Sequence, residues 1–394
     1  MKWSSHVSVK KAAREAVTEC FYEINKQLDR EQPDLAIVFV SRYFADEYGP
    51  VLRVIRERLD GALVLGCSAE GVIGGGHEVQ GRPALAITAG CLPDVEIHPF
   101  NLLDEDIPDM DAPPSAWEDL IGAKAADSPH FLMLGDPFSF HTENFLLGMD
   151  YTYPRSVKIG GLASGGREPG SNVLYLDSEV YSAGLVGVAL SGNIVVDTVV
   201  AQGCKPIGRP MTITRCQRNV IFELDGTPPL QVLQKILETL GERDKALVQQ
   251  SLFLGVSMDE LREQPRHGDF LIRNLLGIDR SQGALAVGAY LREGQTVQFH
   301  LRDAQTSAED LDLLLAEYSG RNDFSSGEGA VLFSCLGRGQ HLYGRADHDT
   351  NMFLSKVGAM PLGGFFCNGE IGPVGNTTYL HGYTSSFGIF RPAR

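Results

Sequence analysis

The stretch GALVLGCSAEGVIGGG, residues 61–76, joins an apolar run to a glycine-rich loop that carries one cysteine, one serine and one carboxylate. Its first part, ALVLGCS, has the length and apolar character of a buried strand. It follows a strand pattern at 35–41, LAIVFVS, and a helix pattern at about 46–60. Strand, helix and strand in this order predict a right-handed crossover with two parallel strands.

The same order is predicted twice more along the chain. HFLMLGD (130–136), a helix and VKIGGLAS (157–164) lead into a second glycine loop. AVLFSCLG (330–337), a helix and MPLGGFFCNGEIGPVG (360–375) lead into a third. Repetition at this length is typical of duplicated supersecondary units. We expect an α/β fold whose mixed sheets are built from repeated αβαβ–glycine loop–ββ units, in two pseudo-equivalent lobes.

A region of different composition separates the second and third copies. Residues 203–305 hold several short strand patterns and one clear helix, PPLQVLQKILETLG, with proline at its start and glycine at its end. We place the domain boundary between residues 205 and 227. The expected division is an amino-terminal part, 1–223, with two repeat units, and a carboxyl-terminal part, 224–394, with the β-rich insertion and the third unit.

The charge and cysteine content exclude several classes of protein. The formal net charge is −16, and no run of lysine and arginine interrupts it. Nucleic acid and membrane surfaces are therefore poor partners. The seven cysteines show no CxxC or Cys/His ligand spacing, which argues against a disulfide framework or a structural zinc. No apolar segment approaches the ~20 residues that span a bilayer, so we expect a cytoplasmic protein.

The glycine loops are expected at the carboxyl edge of the sheets, where α/β proteins bind ligands. Glycine allows main-chain N–H groups to approach an anion closely. No loop is followed by the lysine of a phosphate-binding loop, the GxGxxG pattern is absent, and Glu70 and Glu370 would repel phosphate. The pattern indicates a site for a small molecule other than a nucleotide.

Covalent catalysis is an alternative interpretation of these loops. The serines do not stand in the G-x-S-x-G register of a nucleophile elbow. Cys67 or Cys367 would serve a hydrolase or isomerase if a histidine activated the thiol, but the spacing to His77, His341 or His348 forms no recognisable pair. We therefore expect a protein that is not an enzyme.

A binding pocket is the favoured interpretation. Main-chain N–H groups of the loops would bind a ligand carboxylate, and Glu70 or Glu370 would pair with its ammonium group. This chemistry suits an amino acid or a similar small polar metabolite. The candidate ligand-binding residues are Gly66, Cys67, Ser68, Glu70, Gly71, Ser164, Gly165, Cys367, Asn368, Gly369 and Glu370.

The stretch GRADHDTNMF, residues 344–353, has two interpretations. Asp347 before a helix pattern predicts an N-cap, while Asp347, His348 and Asp349 together are conceivable metal ligands. We favour the cap and expect no metal or other cofactor. A haem would need an axial histidine, and His141, His300, His348 and His381 are conceivable.

Five separated motifs resemble the FIST family (F-box and intracellular signal transduction domains). They are LGCSAEGVIG, GDFLIRNLLGID, REGQTVQFHLRDA, DHDTNMF and GFFCNGEIGPVG. The family's amino-terminal part corresponds to about 33–223 and its carboxyl-terminal part to about 224–370. The resemblance implies a sensory domain for small ligands such as amino acids. Some bacterial members are similar haem proteins that sense nitric oxide, and F-box members act in ubiquitin ligation.

This sequence departs from the F-box form, because no leucine-rich F-box segment precedes the domain. It also shows no kinase, cyclase or methyl-accepting output domain. We therefore expect the signal to pass to a separate downstream signalling protein. A haem-based gas sensor stays open as an alternative.

Overall fold

The computed structural model describes residues 1–59, 61–258, 268–321 and 328–393. The chain divides into two compact units: unit 1 is Met1–Val200 with Asp312–Arg394, and unit 2 is Ala201–Leu311. Unit 2 coincides closely with the β-rich region that the sequence sets apart at 203–305. The predicted class, α/β with mixed sheets, is confirmed.

The strands are numbered in chain order. The thirteen that precede unit 2 or lead into it are β1 Lys2–Ser8, β2 Leu35–Ser41, β3 Leu63–Ala69, β4 Gly71–Gly74, β5 His77–Gln80, β6 Leu85–Cys91, β7 Val95–Leu102, β8 His130–Gly135, β9 Lys158–Leu162, β10 Leu174–Leu176, β11 Glu179–Tyr181, β12 Leu185–Gly192 and β13 Val195–Ala201. The next six are β14 Cys204–Gln217, β15 Val220–Leu224, β16 Leu252–Ser257, β17 Phe270–Asp279, β18 Ala284–Val287 and β19 Thr296–Arg302. The last five are β20 Gly329–Cys335, β21 Leu362–Cys367, β22 Glu370–Val374, β23 Thr377–His381 and β24 Ser385–Arg391.

The helices are numbered in the same way. They are α1 Ala13–Gln27, α2 Tyr48–Arg58, α3 Pro114–Ile121, α4 Thr142–Thr152, α5 Pro229–Thr239, α6 Glu242–Val248, α7 Ala304–Arg321, α8 Gly339–Tyr343 and α9 His348–Val357. The helix predicted over 46–60 is α2, and its predicted last residue, Asp60, lies outside the described residues. None of the helices in the described ranges combines the length and the apolar character needed to cross a bilayer.

Unit 1 contains three six-stranded sheets with one common strand order. Sheet A runs β1-β6-β2-β3-β10-β11, sheet B runs β7-β12-β8-β9-β22-β23, and sheet C runs β13-β24-β20-β21-β4-β5. In each sheet the third and fourth strands are parallel, as the crossover rule predicts. The repeated architecture therefore lies among the three sheets of unit 1, and unit 2 has a different fold.

Each sheet is completed by a hairpin that comes from another repeat. The hairpin β4–β5 lies between β3 and β6 in the chain, yet it pairs with β21 of sheet C. In the same way β10–β11 pairs with β3 of sheet A, and β22–β23 pairs with β9 of sheet B. The three repeats thus exchange hairpins in a closed cycle.

The inner faces of the three sheets share one apolar core. Phe39 of sheet A stacks on Phe365 of sheet C with ring centroids 4.6 Å apart. Trp3 of sheet A stacks on Phe390 of sheet C at 4.8 Å, and Leu132 of sheet B belongs to the same buried cluster. The outer face of sheet A packs on α1 and α2, and that of sheet B on α3 and α4.

The first strand was not expected from the sequence. Apolar residues at helical spacing over 8–28 predict one amphipathic helix. Helix α1 begins only at Ala13, because residues 2–8 form β1 and pair along their whole length with β6. KWSSHVS carries too many polar residues to predict a buried strand, and long-range pairing determines its conformation.

Unit 2 is a closed barrel in the order β14-β15-β18-β17-β16-β19. Its interior is apolar, and Leu254, Leu285 and Phe299 are completely buried. The predicted helix PPLQVLQKILETLG is α5, whose Leu233 and Ile236 join the same core.

Candidate functional site

In each repeat, one glycine lets the second strand of the crossover lie close to the neighbouring parallel strand. Each of these glycines is the direct partner of a residue on the neighbouring parallel strand. The three pairs are Gly66 with Val38, Gly160 with Met133, and Gly364 with Leu332. At all three positions a Cβ atom would overlap the partner's carbonyl oxygen, so only glycine fits. These glycines therefore mark equivalent positions in the three repeats.

Four residues after each of these glycines, the chain reaches Glu70, Ser164 and Asn368. All three line a single cleft of about 480 Å³. The other residues of its wall are Phe138, Gly166, Arg167 and Leu336. The three glycine loops thus meet at one place, and each contributes the same position of its repeat.

The register shows which residues of the first and third loops are equivalent. GCSAEGVIGG and GFFCNGEIGP each contain a cysteine, a glutamate and an Ile-Gly pair, so their sequences alone would match Glu70 with Glu370. The structure instead places Asn368 at the position equivalent to Glu70, while the Ile-Gly pairs at 73–74 and 371–372 do correspond. The likeness of the two acidic residues is therefore a coincidence of spacing.

Hydrogen bonds tie the three loops to one another. Ser164 is central, because its hydroxyl accepts a hydrogen bond from the Glu70 amide at 3.0 Å and donates one to the Phe366 carbonyl at 2.5 Å. The side-chain amide of Asn368 donates to the Ala163 carbonyl at 2.9 Å. Ser164 therefore holds the cleft together more than it faces a ligand.

The main-chain amides are not available as an anion nest in the way that the sequence suggests. The amides of Ser164 and Gly165 both donate to the Ser68 carbonyl at 3.2 Å. The Gly166 amide donates to the Asn172 side chain at 2.7 Å, and the Asn368 amide donates to the Leu162 carbonyl at 3.0 Å. The amides of Ser164, Gly165 and Asn368 join neighbouring loops, and the Gly166 amide bonds within its own loop, because buried backbone donors must be satisfied.

Side chains supply the charges of the cleft. Glu70 Oε2 lies 3.0 Å from Arg42 Nε, and both side chains are partly exposed. Arg167 is exposed at the rim, and no carboxylate of the described residues lies within ion-pair distance of it. Glu70 and Arg167 give the cleft surface both signs of charge, and the exposed amide of Asn368 and the apolar ring of Phe138 form uncharged parts of its wall.

The predicted site residues differ in accessibility. Asn368 is exposed, Glu70 and Gly165 are half-buried, and the others are buried: Gly66, Cys67, Ser68, Gly71, Ser164, Cys367, Gly369 and Glu370. The Glu370 carboxylate accepts hydrogen bonds from the Thr384 amide at 3.0 Å and from Cys367 Sγ at 3.4 Å. Burial raises the pKa of the Cys67 and Cys367 thiols well above the ordinary range, and Glu370 adds to the effect at Cys367.

Sequence reasoning missed a buried polar network beneath the cleft. Asn172 donates to Asp136 at 3.0 Å and accepts from the Gly166 amide and from the Ser68 hydroxyl, at 3.3 Å for the latter. Asp136 follows β8 directly and Arg42 follows β2 directly. Each residue follows the first strand of its crossover, at the carboxyl edge of the sheet. Because α/β proteins bind ligands at this edge, the position of the two residues could have marked them as candidates.

The motif at 344–353 is a structural cluster. Asp347 does not cap α9, because it adopts a left-handed conformation with φ of 59° and binds the Glu78 amide at 2.6 Å. The Thr350 amide in the first turn donates instead to Glu78 of β5 at 2.9 Å. Asp349 forms a buried ion pair with Arg338, with Nε and Oδ2 2.8 Å apart. Across the described ranges, no group of three or more His, Cys, Asp or Glu side chains could hold a metal ion.

The four histidines considered for haem lie elsewhere. His141 is exposed and contacts Asp104 at 2.7 Å, and His348 is stacked on Tyr343. His300 and His381 are buried with a ring nitrogen near a main-chain carbonyl oxygen. None of the four is among the residues that line the loop cleft, so these residues do not fit a haem at that site.

Comparisons with known proteins assign the chain to a family. It matches the FIST N domain over residues 34–227 and the FIST C domain over residues 229–373. An uncharacterised protein of Mycobacterium tuberculosis is 35% identical over 387 residues, which is 98% of both chains. An uncharacterised protein of Mycobacterium bovis is 35% identical over 96% of both chains.

Two more distant similarities were found. An F-box/LRR-repeat protein of Arabidopsis thaliana is 26% identical over 63% of this chain and 52% of its own. Among solved structures, a cyanuric acid hydrolase from A. caulinodans covers 99% of both chains at 8% identity with a TM-score of 0.33, which is too low to transfer a function. The matches to both domains extend over most of the sequence, and the chain therefore belongs to the FIST family.

Proposed function

We propose that this protein senses a small zwitterionic metabolite, such as an amino acid, in the cleft where the three glycine loops meet. FIST domains are signal-transduction sensor domains. The observation that carries the proposal is the convergence of Glu70, Ser164 and Asn368, from equivalent positions of three repeats, on one cleft of about 480 Å³. Small-molecule sites usually have volumes of about 300–1,000 Å³.

The charged side chains suit a ligand with an ammonium and a carboxylate group. Glu70 would accept the ammonium group in place of, or beside, Arg42. Arg167 would bind the carboxylate, because a guanidinium group matches the two carboxylate oxygens. Phe138 and Leu336 would contact an apolar part of the ligand. Carboxylate recognition is thereby assigned to Arg167 instead of the loop amides.

A bound ligand would add contacts among three loops that hydrogen bonds already join at the cleft. The loops after β3, β9 and β21 all reach the cleft, so a ligand that touches all three would stabilise one arrangement of the three sheets. The altered or stiffened surface would then be recognised by a separate signalling protein.

The state of the cysteines supports binding without catalysis. A cysteine nucleophile acts as the thiolate in an accessible position. Cys67 and Cys367 are buried, and burial raises the pKa of both thiols. The hydrolase or isomerase alternative therefore lacks an accessible thiolate at these positions.

Thermal-shift measurements with a panel of amino acids and related metabolites test the proposal. A ligand at one hundred times its Kd should stabilise the protein by about 2.7 kcal/mol. Arg167→Ala and Glu70→Gln should abolish the shift, whereas Arg155→Ala and Glu179→Gln, at exposed positions away from the cleft lining, should retain it. Equal shifts in all four variants would refute the assignment of the site, and the absence of any shift across the panel would refute the ligand class.

A further inference from the structure

Two cysteines end the parallel strands next to the cleft. Cys335 is the last residue of β20, Cys367 is the last residue of β21, and the two are direct partners in the strand register. Neighbouring strands lie about 4.7–4.9 Å apart, and a disulfide needs Cα atoms about 4.4–6.8 Å apart. Two residues earlier in each strand, Phe333 and Phe365 are also partners. Their ring centroids lie 5.9 Å apart, so both side chains are on the same face of the sheet. The two thiols therefore project side by side.

The surroundings give the two thiols different roles. Cys335 is half-buried and so can meet a small reagent, whereas Cys367 is completely buried. Burial opposes the positive charge of Arg338, but the Asp349 carboxylate beside it raises the pKa of the guanidinium above its ordinary value. The guanidinium also interacts electrostatically with Cys335. A nearby cation favours a thiolate. Cys367 Sγ lies 3.4 Å from Glu370 Oε1, which can accept its proton.

The residues that follow these cysteines belong to the cleft wall. Leu336 and Asn368 both line the cleft, and the Leu336 amide donates to the Cys367 carbonyl at 3.1 Å. A covalent bond between the strand ends would constrain two of the segments that form the cleft.

We propose that Cys335 and Cys367 form a reversible cross-strand disulfide that controls the mobility of the cleft wall. The oxidant is a low-molecular-weight disulfide. The Cys335 thiolate attacks one of its sulfurs and releases one thiolate, and a mixed disulfide forms on Cys335. Cys367 passes its proton to Glu370, and its sulfur attacks Cys335 Sγ and expels the second small thiol. Two protein thiols are oxidised, and one small disulfide is reduced to two thiols.

Oxidation of the full-length protein with glutathione disulfide, followed by alkylation and mass spectrometry, tests this bond. The expected product has lost two hydrogens and yields a linked peptide pair that contains Cys335 and Cys367. Cys335→Ser and Cys367→Ser should each abolish the linked pair, and Cys216→Ser, at another half-buried thiol, should not. Complete alkylation of both cysteines after oxidation, or a glutathione adduct on Cys335 alone, would overturn the proposal.

Hydrogen exchange tests the effect on the cleft, which is the part that rests on the proposed function. The oxidised protein should exchange amides at residues 336–338 and 368–369 at least several-fold more slowly than the reduced protein. Exchange at α1, which packs on the outer face of sheet A, should be unchanged. If the bond forms but exchange at the cleft is unaltered, control of the cleft is refuted. The ligand-induced thermal shifts of the wild type and of Arg167→Ala are measured in a separate experiment. Failure of the proposed ligand binding can therefore be distinguished from failure of the proposed disulfide.

Discussion

Replacing Glu78 with glutamine should raise the free energy of unfolding near about pH 8 and leave it almost unchanged near about pH 5. Glu78 is 5% exposed, and its Oε1 accepts a hydrogen bond from the Thr350 amide at 2.9 Å. Its Oε2 is buried without a hydrogen-bond partner among the residues that the structure describes. Burial, followed by the nearby Asp349 carboxylate, raises the pKa of Glu78 from 4.5 to about 7.

The sign of the effect follows from proton binding. A carboxyl group with a higher pKa in the folded than in the unfolded chain binds its proton more tightly when folded, and so stabilises the fold at low pH. For Glu78 this stabilisation is complete below pH 4.5 and is lost as the pH rises to about 7. At about 1.36 kcal/mol per pH unit, the loss amounts to about 3 kcal/mol. Glutamine never acquires the charge and keeps an oxygen that can accept from the Thr350 amide.

Urea unfolding followed by tryptophan fluorescence measures this difference. Both tryptophans of the chain, Trp3 and Trp117, are buried in unit 1, which also contains Glu78. Subtracting the wild-type curve from that of Glu78→Gln cancels other titrating groups, such as His130, whose pKa is lowered by burial. Glu179→Gln, at an exposed position, is the matched control and should follow the wild type. A Glu78→Gln variant with the wild-type pH dependence between about pH 5 and 8, or one less stable at the upper end, would refute the reasoning.

Three further substitutions, one of them with a matched control, test the structure in the same unfolding assay. Ser164→Ala removes the hydroxyl that joins two loops and should cost about 1–3 kcal/mol; a neutral effect would contradict its central position. Gly364→Ala would force a Cβ into a main-chain carbonyl and should reduce the yield of folded protein, while Gly320→Ala, in open space on a helix, should be neutral or stabilising by up to about 1 kcal/mol. Similar losses in both variants would argue against the steric explanation. Asp349→Asn leaves the buried Arg338 without its counter-ion and should cost about 3–5 kcal/mol, and a loss below about 1 kcal/mol would show that this pair does not support the fold.

The sequence predicted the elements that depend on local patterns. The apolar runs that form β2, β3, β8, β9, β20 and β21 and the glycine loops after them are visible from periodicity and from turn residues. The rule that parallel strands end at the same edge of a sheet places each loop at the carboxyl edge of its own sheet. Three predicted residues, Glu70, Ser164 and Asn368, line one cleft because the three sheets pack on a shared core, which local patterns do not show.

The features that were missed depend on distant parts of the chain. Asp347 has the local pattern of a cap, but Glu78, far away in sequence, takes that role because β5 is donated to sheet C. Similarly, Glu370 stands beside glycines as Glu70 does, yet its register turns it into the protein interior. Arg167 offers no sequence signal of its own, because only the assembled cleft gives its position a meaning.

The cyclic exchange of hairpins has a consequence for biosynthesis. Sheet C needs β4–β5, at residues 71–80, and β20, β21 and β24, at residues 329–391, so its strands are widely separated in sequence. While translation is still in progress, the early hairpin has no strand to pair with, and it leaves the ribosome long before β21 is made. Unit 1 can therefore close only after β21 and β24 have been synthesised, and a nascent chain that stalls earlier presents unpaired strand edges to chaperones or to other nascent chains.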